Sequence, residues 1–191
     1  EITTRLVGSE MCIRDRKYSA AAFATKHEDA IYFSKRVTRA VPDGGPIEAH
    51  TDLVKKLDYE CELAVVLGRD ARDVPAGQTR DYIFGYTILN DVSARDVQTA
   101  HKQWYFGKSL DGFTPIGPCI VTADAFADYP PRLGIRSFVN GEKRQDSNTA
   151  LQIFDIDHVI AELSQGMTLK AGTIIATGTP AGVGMGMDPP Q

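Results

Sequence analysis

Two glutamates, Glu60 and Glu62, stand at the start of an apolar, β-prone run that extends to Leu67. Acidic residues are disfavoured in such strands. Because residues i and i+2 of an extended strand share a face, both carboxylates project to the same side. Like charges that close repel one another, and burying either one is costly unless a cation lies between them. The pair therefore favours a divalent metal site, unless the run is an edge strand on which both side chains face solvent.

A metal site needs a third oxygen ligand, and Asp91 is the best candidate because it ends a second apolar run. Three carboxylates without a nearby His or Cys suit Mg²⁺, Mn²⁺ or Ca²⁺ better than Zn²⁺ or copper. With only three protein ligands, a six-coordinate ion keeps positions for water and substrate oxygens. We therefore predict that Glu60, Glu62 and Asp91 bind Mg²⁺ or Mn²⁺, with Ca²⁺ as a further candidate.

Bulk properties narrow the class of protein. A chain of 191 residues corresponds to about one domain. A net charge of −4 without a basic run gives no reason to expect a nucleic-acid partner. No apolar run is long enough to cross a membrane. The three cysteines are far apart, which argues against zinc and disulfides, and Cys61 and Cys119 are interpreted as buried thiols in a reducing compartment. A cytoplasmic location is predicted.

Periodicity and turn signals predict a β-rich α+β domain. One helix is predicted just after Asp91, with Ser93 as its N-cap. Asp91, Arg95, Gln98 and Lys102 recur at helical spacing and are predicted to form one polar stripe on it. A hairpin is predicted to turn at Asn140-Gly141. The other predicted elements are short helices over 17–26 and 157–164, the latter burying Val159, Ile160 and Leu163, and strands over 30–33, 60–67, 82–90, 116–122, 135–139 and 173–177.

Two further segments have chemical potential. Gly107-Lys108-Ser109 resembles the end of a phosphate loop. That motif requires a glycine five positions before Gly107, and this position holds Lys102 instead. The segment is either a turn that presents Lys108 to a carboxylate or a developing oxyanion, or a solvated surface loop. In the glycine-rich end, backbone amides and the hydroxyls of Thr177 or Thr179 could bind a substrate carboxylate, or packing alone could shape the loop.

Five blocks in chain order form a recognisable pattern. They are Asp58-Tyr59-Glu60-Cys61-Glu62-Leu63-Ala64-Val65-Val66, Asn90-Asp91-Val92-Ser93-Ala94-Arg95-Asp96, Gly107-Lys108-Ser109-Leu110-Asp111-Gly112-Phe113-Thr114-Pro115-Ile116-Gly117-Pro118, Asn140-Gly141-Glu142 and Thr177-Gly178-Thr179-Pro180-Ala181-Gly182-Val183-Gly184. Together they resemble the fumarylacetoacetate hydrolase family over residues 31–190. The resemblance implies a mixed β-roll or sandwich catalytic domain that forms a homodimer and binds Mg²⁺ or Mn²⁺.

The resemblance also implies roles for individual residues. Glu60, Glu62 and Asp91 would ligate the metal. Arg95, Gln98 and Lys108 would surround the oxyanion of the substrate, and Thr179, flanked by Gly178 and Thr177, would contact its carboxylate. Family substrates are 2-oxo acids, often diketo acids or their enols. The reactions are C–C hydrolysis of acylpyruvates, decarboxylation of oxaloacetate-like acids and isomerisation of hydroxymuconate-type dienes, all through an enolate held by the metal.

Two departures from the family pattern are expected to matter. The family's N-terminal His and Glu, which activate water, are replaced by Ala21 and Ala24, and His27 and Glu28 have the wrong spacing. This difference favours decarboxylation or isomerisation over hydrolysis. An alternative is a catalytically impaired homologue that binds metal and ligand, or a truncated, inactive piece of an enzyme. We predict three segments: 1–16, foreign or disordered; 17–57, a lid region; and 58–191, a catalytic domain truncated at its C-terminus.

Overall fold

The computed structural model describes the backbone of residues 6–10 and the full residues 29–187 and 189. The described part is rich in sheet and has few helices, which confirms the β-rich α+β class. Its strands are β1 Leu6–Glu10, β2 Ile31–Lys35, β3 Leu57–Asp58, β4 Cys61–Leu67, β5 Ile83–Asn90, β6 Ser93–Ala94, β7 Ile116–Thr122, β8 Gly134–Val139, β9 Glu142–Asn148 and β10 Ile174–Ala176. Its α-helices are α1 Arg95–Ala100, α2 Tyr105–Lys108 and α3 Ile156–Leu163. Short 3₁₀ helices span Thr79–Tyr82, Ala123–Ala125, Thr149–Leu151 and Gly184–Gly186.

Six strands form the principal sheet, in the order β2-β1-β10-β4-β5-β7. Only the β1–β10 pair is parallel, so the sheet is mixed. All seven residues of β4 are buried, because neighbouring strands cover its edges and packed side chains cover both faces. The alternative that Glu60 and Glu62 face solvent on an edge strand is therefore wrong.

The main hydrophobic core lies between this sheet and α3. Leu63, Val65 and Leu67 point to it from one face of β4, as period-2 alternation requires. Val159, Ile160 and Leu163 of α3 are buried against that face, as predicted from their helical spacing. Asp155 caps the helix by accepting a hydrogen bond from the His158 N–H at 2.8 Å. The opposite face of β4 is left for the glutamates.

Several predicted elements are confirmed. The hairpin turns at Asn140 and Gly141, both with positive φ (52° and 82°), as a two-residue turn that joins antiparallel strands requires. The strand over 116–122 is observed with the predicted bounds. The helix predicted over 17–26 lies outside the described residues. The division into segments 1–16, 17–57 and 58–191 remains a proposal.

Two predictions are wrong. Ser93 is not a helix N-cap, because residues 93–94 pair with β3 and α1 begins at Arg95 without a side-chain cap. Its hydroxyl donates to the Asp91 carbonyl oxygen at 2.9 Å instead. Cys119 is exposed on β7, whereas Cys61 is buried. In the described part of the chain, no helix is long and apolar enough to cross a membrane.

Candidate metal centre

Strand register brings the three predicted ligands together. Cys61 pairs with Asn90 across β4 and β5, so the next pair outward is Glu60 with Asp91, whose N–H donates to the Glu60 carbonyl oxygen at 2.9 Å. Cross-strand partners have adjacent side chains on one face. Glu62 lies two residues along the same face of β4. One oxygen from each of Glu60, Glu62 and Asp91 lies within 4.8 Å of the others, and all three residues are buried.

Every buried charged side chain of the described residues belongs to this one cluster. Four are carboxylates and three are cations: Asp58, Glu60, Glu62 and Asp91 against Lys35, Arg95 and Lys108. Charges are buried only when they are paired or ligate a metal. The four-to-three ratio leaves one negative charge in excess, which favours a bound cation over a self-sufficient ion-pair network.

Lys108 lies between two of the proposed ligands. Its Nζ is 2.9 Å from Glu60 Oε2 and 2.7 Å from Asp91 Oδ2, and its side chain is fully buried. The ammonium also lies 5.5 Å from the centroid of the Phe33 ring, which is within cation–π range. Lys108 is the last residue of α2 and Ser109 is its C-cap, so the segment is a helix end and the predicted turn is wrong. The prediction that it presents Lys108 to carboxylates is nevertheless favoured over a solvated surface loop.

Lys35 is a member of the cluster that sequence reasoning missed. Its ammonium pairs with Asp91 Oδ1 and donates to the Phe113 carbonyl oxygen at 2.6 Å. Burial lowers the pKa of Lys35, although the Asp91 carboxylate counteracts that effect. The predicted strand over 30–33 ends two residues too early, since the observed strand extends to Lys35. Extending it would have placed Lys35 on the same face as Phe33, where an inward lysine needs a partner.

Arg95 and Gln98 occupy one face of α1, as the polar stripe predicted, whereas Lys102 lies beyond the end of the helix and is wrong as a member of the stripe. Arg95 Nε donates to Asp58 Oδ2 at 2.8 Å, and its Nη1 lies 2.5 Å from Glu60 Oε1. The same Nη1 donates to Gln98 Oε1 at 3.2 Å. Both side chains are buried beside the metal ligands. The helix therefore directs a cation and an amide to the carboxylate cluster.

The carboxylates differ in their electrostatic environment. Burial, followed by the nearby charges of Asp91 and Glu60, raises the pKa of Glu62 well above its usual range. Burial would also raise the pKa of Asp91, but the ammonium groups of Lys108 and Lys35 outweigh it and lower that pKa. Glu62 is therefore the member of the triad with the least compensated charge.

The donor set fits a small divalent ion. Oxygen ligands of Mg²⁺ lie about 2.1 Å from the ion, so opposite ligands are roughly 4.2 Å apart. The spread of the three carboxylate oxygens, within 4.8 Å, comes close to that value before any side chain moves. An ion bound there would also neutralise the uncompensated charge of Glu62. Glu60, Glu62 and Asp91 are therefore compatible with Mg²⁺ or Mn²⁺.

The glycine-rich segment lies against the other side of Glu62. Gly178 N–H donates to Glu62 Oε2 at 2.7 Å. The hydroxyl of Thr177 donates to the Leu63 carbonyl oxygen at 2.9 Å, and that of Thr179 donates to the Cys61 carbonyl oxygen at 3.1 Å. These contacts extend the β4–β10 pairing beyond the last residue of β10. The segment is thus part of the cluster's wall.

Gln145 of β9 is a second residue that sequence reasoning missed. It is fully buried, and its Oε1 accepts hydrogen bonds from Cys61 N–H and the Ser137 hydroxyl, both at 3.0 Å. Its Nε2 donates to Thr179 Oγ1 and to the Pro180 carbonyl oxygen, both at 2.7 Å. One amide therefore joins the β8–β9 hairpin, the start of β4 and the glycine-rich segment. Nothing in the local sequence marks it, because Cys61, Thr179 and Pro180 are distant in the chain and only Ser137 lies in the same hairpin.

The sequence matches a known protein family. The family model described as "Fumarylacetoacetate (FAA) hydrolase C-terminal" matches residues 6–191. The chain belongs to the fumarylacetoacetate hydrolase family. The predicted resemblance is thereby confirmed. The predicted roles of individual site residues stay predictions. The predicted consequence of having Ala21 and Ala24 in place of the family's His and Glu also stays a prediction, because both residues lie outside the described part.

Several members of the fumarylacetoacetate hydrolase family are similar to the chain. Oxaloacetate tautomerase YisK of Bacillus subtilis is 43% identical over 178 residues, which are 93% of this chain and 59% of that protein. Fumarylacetoacetate hydrolase (EaFAH) from Exiguobacterium antarcticum has a TM-score of 0.84 at 43% identity, covering 98% of this chain and 66% of the other. Fumarylpyruvate hydrolase from Pseudomonas aeruginosa, solved with Mn²⁺ and pyruvate, has a TM-score of 0.79 at 28% identity, with 95% and 79% covered. The chain spans about three fifths of the length of the curated relatives it matches.

Proposed function

We propose that this chain is the catalytic domain of a divalent-metal-dependent enzyme that interconverts the keto and enol forms of a 2-oxo dicarboxylic acid of the oxaloacetate type. The observation that carries the proposal is the convergence of three buried carboxylates with Lys108 and Arg95. The tautomerase activity named for the Bacillus subtilis relative supports the choice of reaction. Hydrolysis and decarboxylation of related 2-oxo acids use the same site and are the competing reactions.

Glu60, Glu62 and Asp91 would hold Mg²⁺ or Mn²⁺. A bound ion supplies Lewis-acid polarisation of the 2-oxo and carboxylate oxygens of the substrate. The Mn²⁺ and pyruvate bound by the Pseudomonas aeruginosa hydrolase support this assignment, because pyruvate is itself a 2-oxo acid. Three protein ligands leave room for such a chelating substrate.

Lys108 and Arg95 would supply positive charge where the substrate oxygen becomes negative. Tautomerisation moves one proton from C3 to the C2 oxygen, so negative charge builds on that oxygen when the C–H bond breaks. Preorganised cations in a buried site stabilise such charge far better than they do in water. Gln98 would add a neutral donor, since its Oε1 accepts from Arg95 and its Nε2–H₂ group is the donor end of the amide.

Thr179, flanked by Gly178 and Thr177, would contact the carboxylate of the substrate. The Thr179 hydroxyl donates to the Cys61 carbonyl oxygen at 3.1 Å and accepts from Gln145 at 2.7 Å. To donate to a substrate carboxylate, the Thr179 hydroxyl must therefore give up its hydrogen bond to the Cys61 carbonyl oxygen, which is the longer of the two. The Gln145 contact holds the oxygen in place while the hydroxyl hydrogen turns.

The reaction class depends on what the site supplies besides the metal. Hydrolysis needs a general base that activates water, whereas tautomerisation needs only a proton acceptor and donor. The expected water-activating dyad is replaced by Ala21 and Ala24, which favours tautomerisation. The homodimer and the cytoplasmic location remain predictions, and analytical ultracentrifugation of the purified protein tests the former.

The experiment measures turnover of oxaloacetate, an acylpyruvate and a hydroxymuconate-type diene with Mg²⁺ or Mn²⁺. Keto–enol interconversion of oxaloacetate should be observed by ultraviolet absorbance and should disappear with a chelator and in Glu60→Gln. Glu48→Gln removes an exposed carboxylate and should keep full activity. Tight Mn²⁺ binding with no turnover of any substrate would indicate the catalytically impaired homologue instead. Failure to bind Mn²⁺ would refute the metal centre.

A further inference from the structure

Asp58 is the one buried carboxylate of the cluster that lies outside the proposed metal triad. It ends β3 and pairs with Ser93 of β6, the short strand that directly precedes α1. The Arg95 N–H donates to the Lys56 carbonyl oxygen at 2.8 Å, which holds the start of α1 beside Asp58. The Asp58 side chain is only 2% exposed. Its position is therefore fixed by the backbone of both segments.

Four donors satisfy the Asp58 carboxylate. Oδ2 accepts from Arg95 Nε at 2.8 Å and from Met185 N–H at 3.0 Å. Oδ1 accepts from Gly184 N–H at 2.7 Å and from Tyr59 N–H at 2.9 Å. A carboxylate offers about four lone-pair sites, so these bonds saturate it. Asp58 is accordingly not placed to ligate a metal or to contact a substrate.

The Arg95 contact has a geometric consequence. A guanidinium is planar, so a fixed Nε also fixes the directions of both terminal nitrogens. With Nε held by Asp58, Nη1 points to Glu60 Oε1 at 2.5 Å and to Gln98 Oε1 at 3.2 Å. Without that anchor, Arg95 could pair with Glu60 through many other orientations. Asp58 thus selects one orientation of the cation that faces the reaction centre.

The other two contacts connect Asp58 to the glycine-rich end. Gly184 and Met185 begin the 3₁₀ helix that follows the proposed carboxylate-binding residues 177–179. The same carboxylate therefore links Arg95 with the chain segment that follows residues 177–179. A residue that binds both can fix the distance between them.

We propose that Asp58 is a positioning residue that orients Arg95 toward the substrate oxyanion and links it to the segment that binds the substrate carboxylate. This inference rests on the proposed function, because it assigns Arg95 a role against substrate. It makes Asp58 act through Arg95 and not through the metal. Removing its charge should therefore affect catalysis much more while Arg95 is present than in its absence, when only the contacts with Tyr59, Gly184 and Met185 remain to be lost.

The test is a double-mutant cycle of Asp58→Asn and Arg95→Met in the full chain. An asparagine offers one acceptor oxygen and one NH₂ group, so two of the four donors would face another donor. Two quantities are measured: kcat and KM for oxaloacetate, and the Kd of oxalate, a planar mimic of the enolate, in Mn²⁺-loaded protein. Asp58→Asn should lower kcat about tenfold or more and weaken oxalate binding about tenfold, as expected for a displaced catalytic group. In the Arg95→Met background, Asp58→Asn should change both quantities by a clearly smaller factor, about threefold or less, because only its contacts with Tyr59, Gly184 and Met185 remain to be lost.

Tyr59→Phe is the matched control. It removes the hydrogen bond from the Tyr59 hydroxyl to the Gly182 carbonyl oxygen, at 2.8 Å, and so loosens the same segment without touching Arg95. Its effects should be additive with Arg95→Met. If the effects of Asp58→Asn are equally additive, or if Asp58→Asn leaves kcat and oxalate binding unchanged, the positioning role is refuted.

Two further outcomes separate this inference from the proposed function. Coupling of the two residues in oxalate binding, without turnover of oxaloacetate, would support the positioning role and refute the tautomerase. Turnover of oxaloacetate without coupling between Asp58 and Arg95 would support the tautomerase and refute the positioning role. If Asp58→Asn does not fold, the wild-type protein can still be tested. The NMR signal of the Arg95 Nε–H is assigned by its loss in Arg95→Met. This proton should exchange with solvent much more slowly than the Nε–H of the exposed Arg72. Equal exchange rates would overturn the inference.

Discussion

Lys35 and Asp91 form an ion pair in which neither side chain is more than 2% exposed. The pair joins β2, near the edge of the principal sheet, to the residue that follows β5. A buried ammonium without its carboxylate, or the reverse, is strongly destabilising. This contact therefore connects the stability of the sheet to the charge of the metal centre.

Lys35→Met should reveal that connection. Methionine keeps much of the apolar stem but removes the ammonium, which leaves more negative charge around Asp91. In the presence of a chelator we expect the free energy of unfolding to fall by about 3 kcal/mol, measured by urea denaturation. Mn²⁺ should stabilise this variant more than the wild type, since the ion restores positive charge.

Lys55→Met is the control, because Lys55 is exposed and its ammonium contacts only the carbonyl oxygen of Thr51 among the described residues. It should change the free energy of unfolding by less than about 0.5 kcal/mol. Equal losses in the two variants would show that the Lys35 ammonium contributes nothing specific.

Glu62→Gln should stabilise the metal-free protein and abolish its response to metal. Burial and the charges of Asp91 and Glu60 raise the pKa of Glu62. A carboxyl with a raised pKa in the fold contributes stability below its unfolded pKa and loses that stability as pH rises through the folded value. In a chelator, wild-type stability should thus decline above the usual glutamate range, near pH 4 to 5. Glutamine removes this decline and still accepts from Gly178.

Urea denaturation across pH, with Mn²⁺ and with chelator, measures both effects. Glu48→Gln should keep the pH dependence and the metal response of the wild type, because Glu48 is exposed. An unchanged pH dependence in Glu62→Gln would show that another group is responsible.

The sequence was sufficient to predict much of the site because the essential signals are local. Glu60 directly precedes β4 and shares a face with Glu62, and Asp91 directly follows β5, the strand that pairs with β4. The apolar spacing of Val159, Ile160 and Leu163 likewise predicted the buried face of α3. In each case a period of 2 or 3.6 residues determines where the side chain points.

Local patterns could not predict three other features: the burial of Lys35, the contacts of Gln145, and the pairing of Ser93 with β3. Lys35 reaches Asp91 only because β1 and β2 extend the sheet, and Gln145 meets its partners only when the hairpin folds over β4. Ser93 has the composition of an N-cap, but pairing with β3 overrides that local preference. Cys119 was wrongly predicted to be buried because an apolar strand at a sheet edge resembles a central one in sequence.

The thiols of Cys61 and Cys119 should differ greatly in reactivity. Burial raises the pKa of Cys61 to about 12, despite a hydrogen bond with Ser137 that opposes the shift. Cys119 is exposed on β7. Because the thiolate is the reactive form, Cys119 should react with a disulfide reagent at pH 8 within minutes and Cys61 only after unfolding.

Absorbance of the released thiolate, in a Cys12→Ser background, counts the reacting groups. One thiol should react in the native protein and two in denaturant. Adding Cys119→Ser should eliminate the native reaction. Rapid native labelling in that variant would mean that the strand carrying Cys61 opens readily.

Gly182→Ala should disrupt the glycine-rich segment beyond the effect of backbone strain. Gly182 has a φ of 107°, and a Cβ there would lie 2.0 Å from the Arg144 carbonyl oxygen. Gly172→Ala is a matched control, since Gly172 has a φ of 83° and a Cβ there would meet nothing within 4 Å. An alanine at either position costs about 1–2 kcal/mol for its backbone conformation. At Gly182 the steric overlap should add roughly 1–3 kcal/mol.

Thermal and urea denaturation measure the difference in stability between the two variants. Oxalate affinity should fall only in Gly182→Ala, because only that overlap displaces the chain beside residues 177–179. Equal stability and equal oxalate affinity in the two variants would show that the segment yields freely, and that its backbone does not define the substrate site.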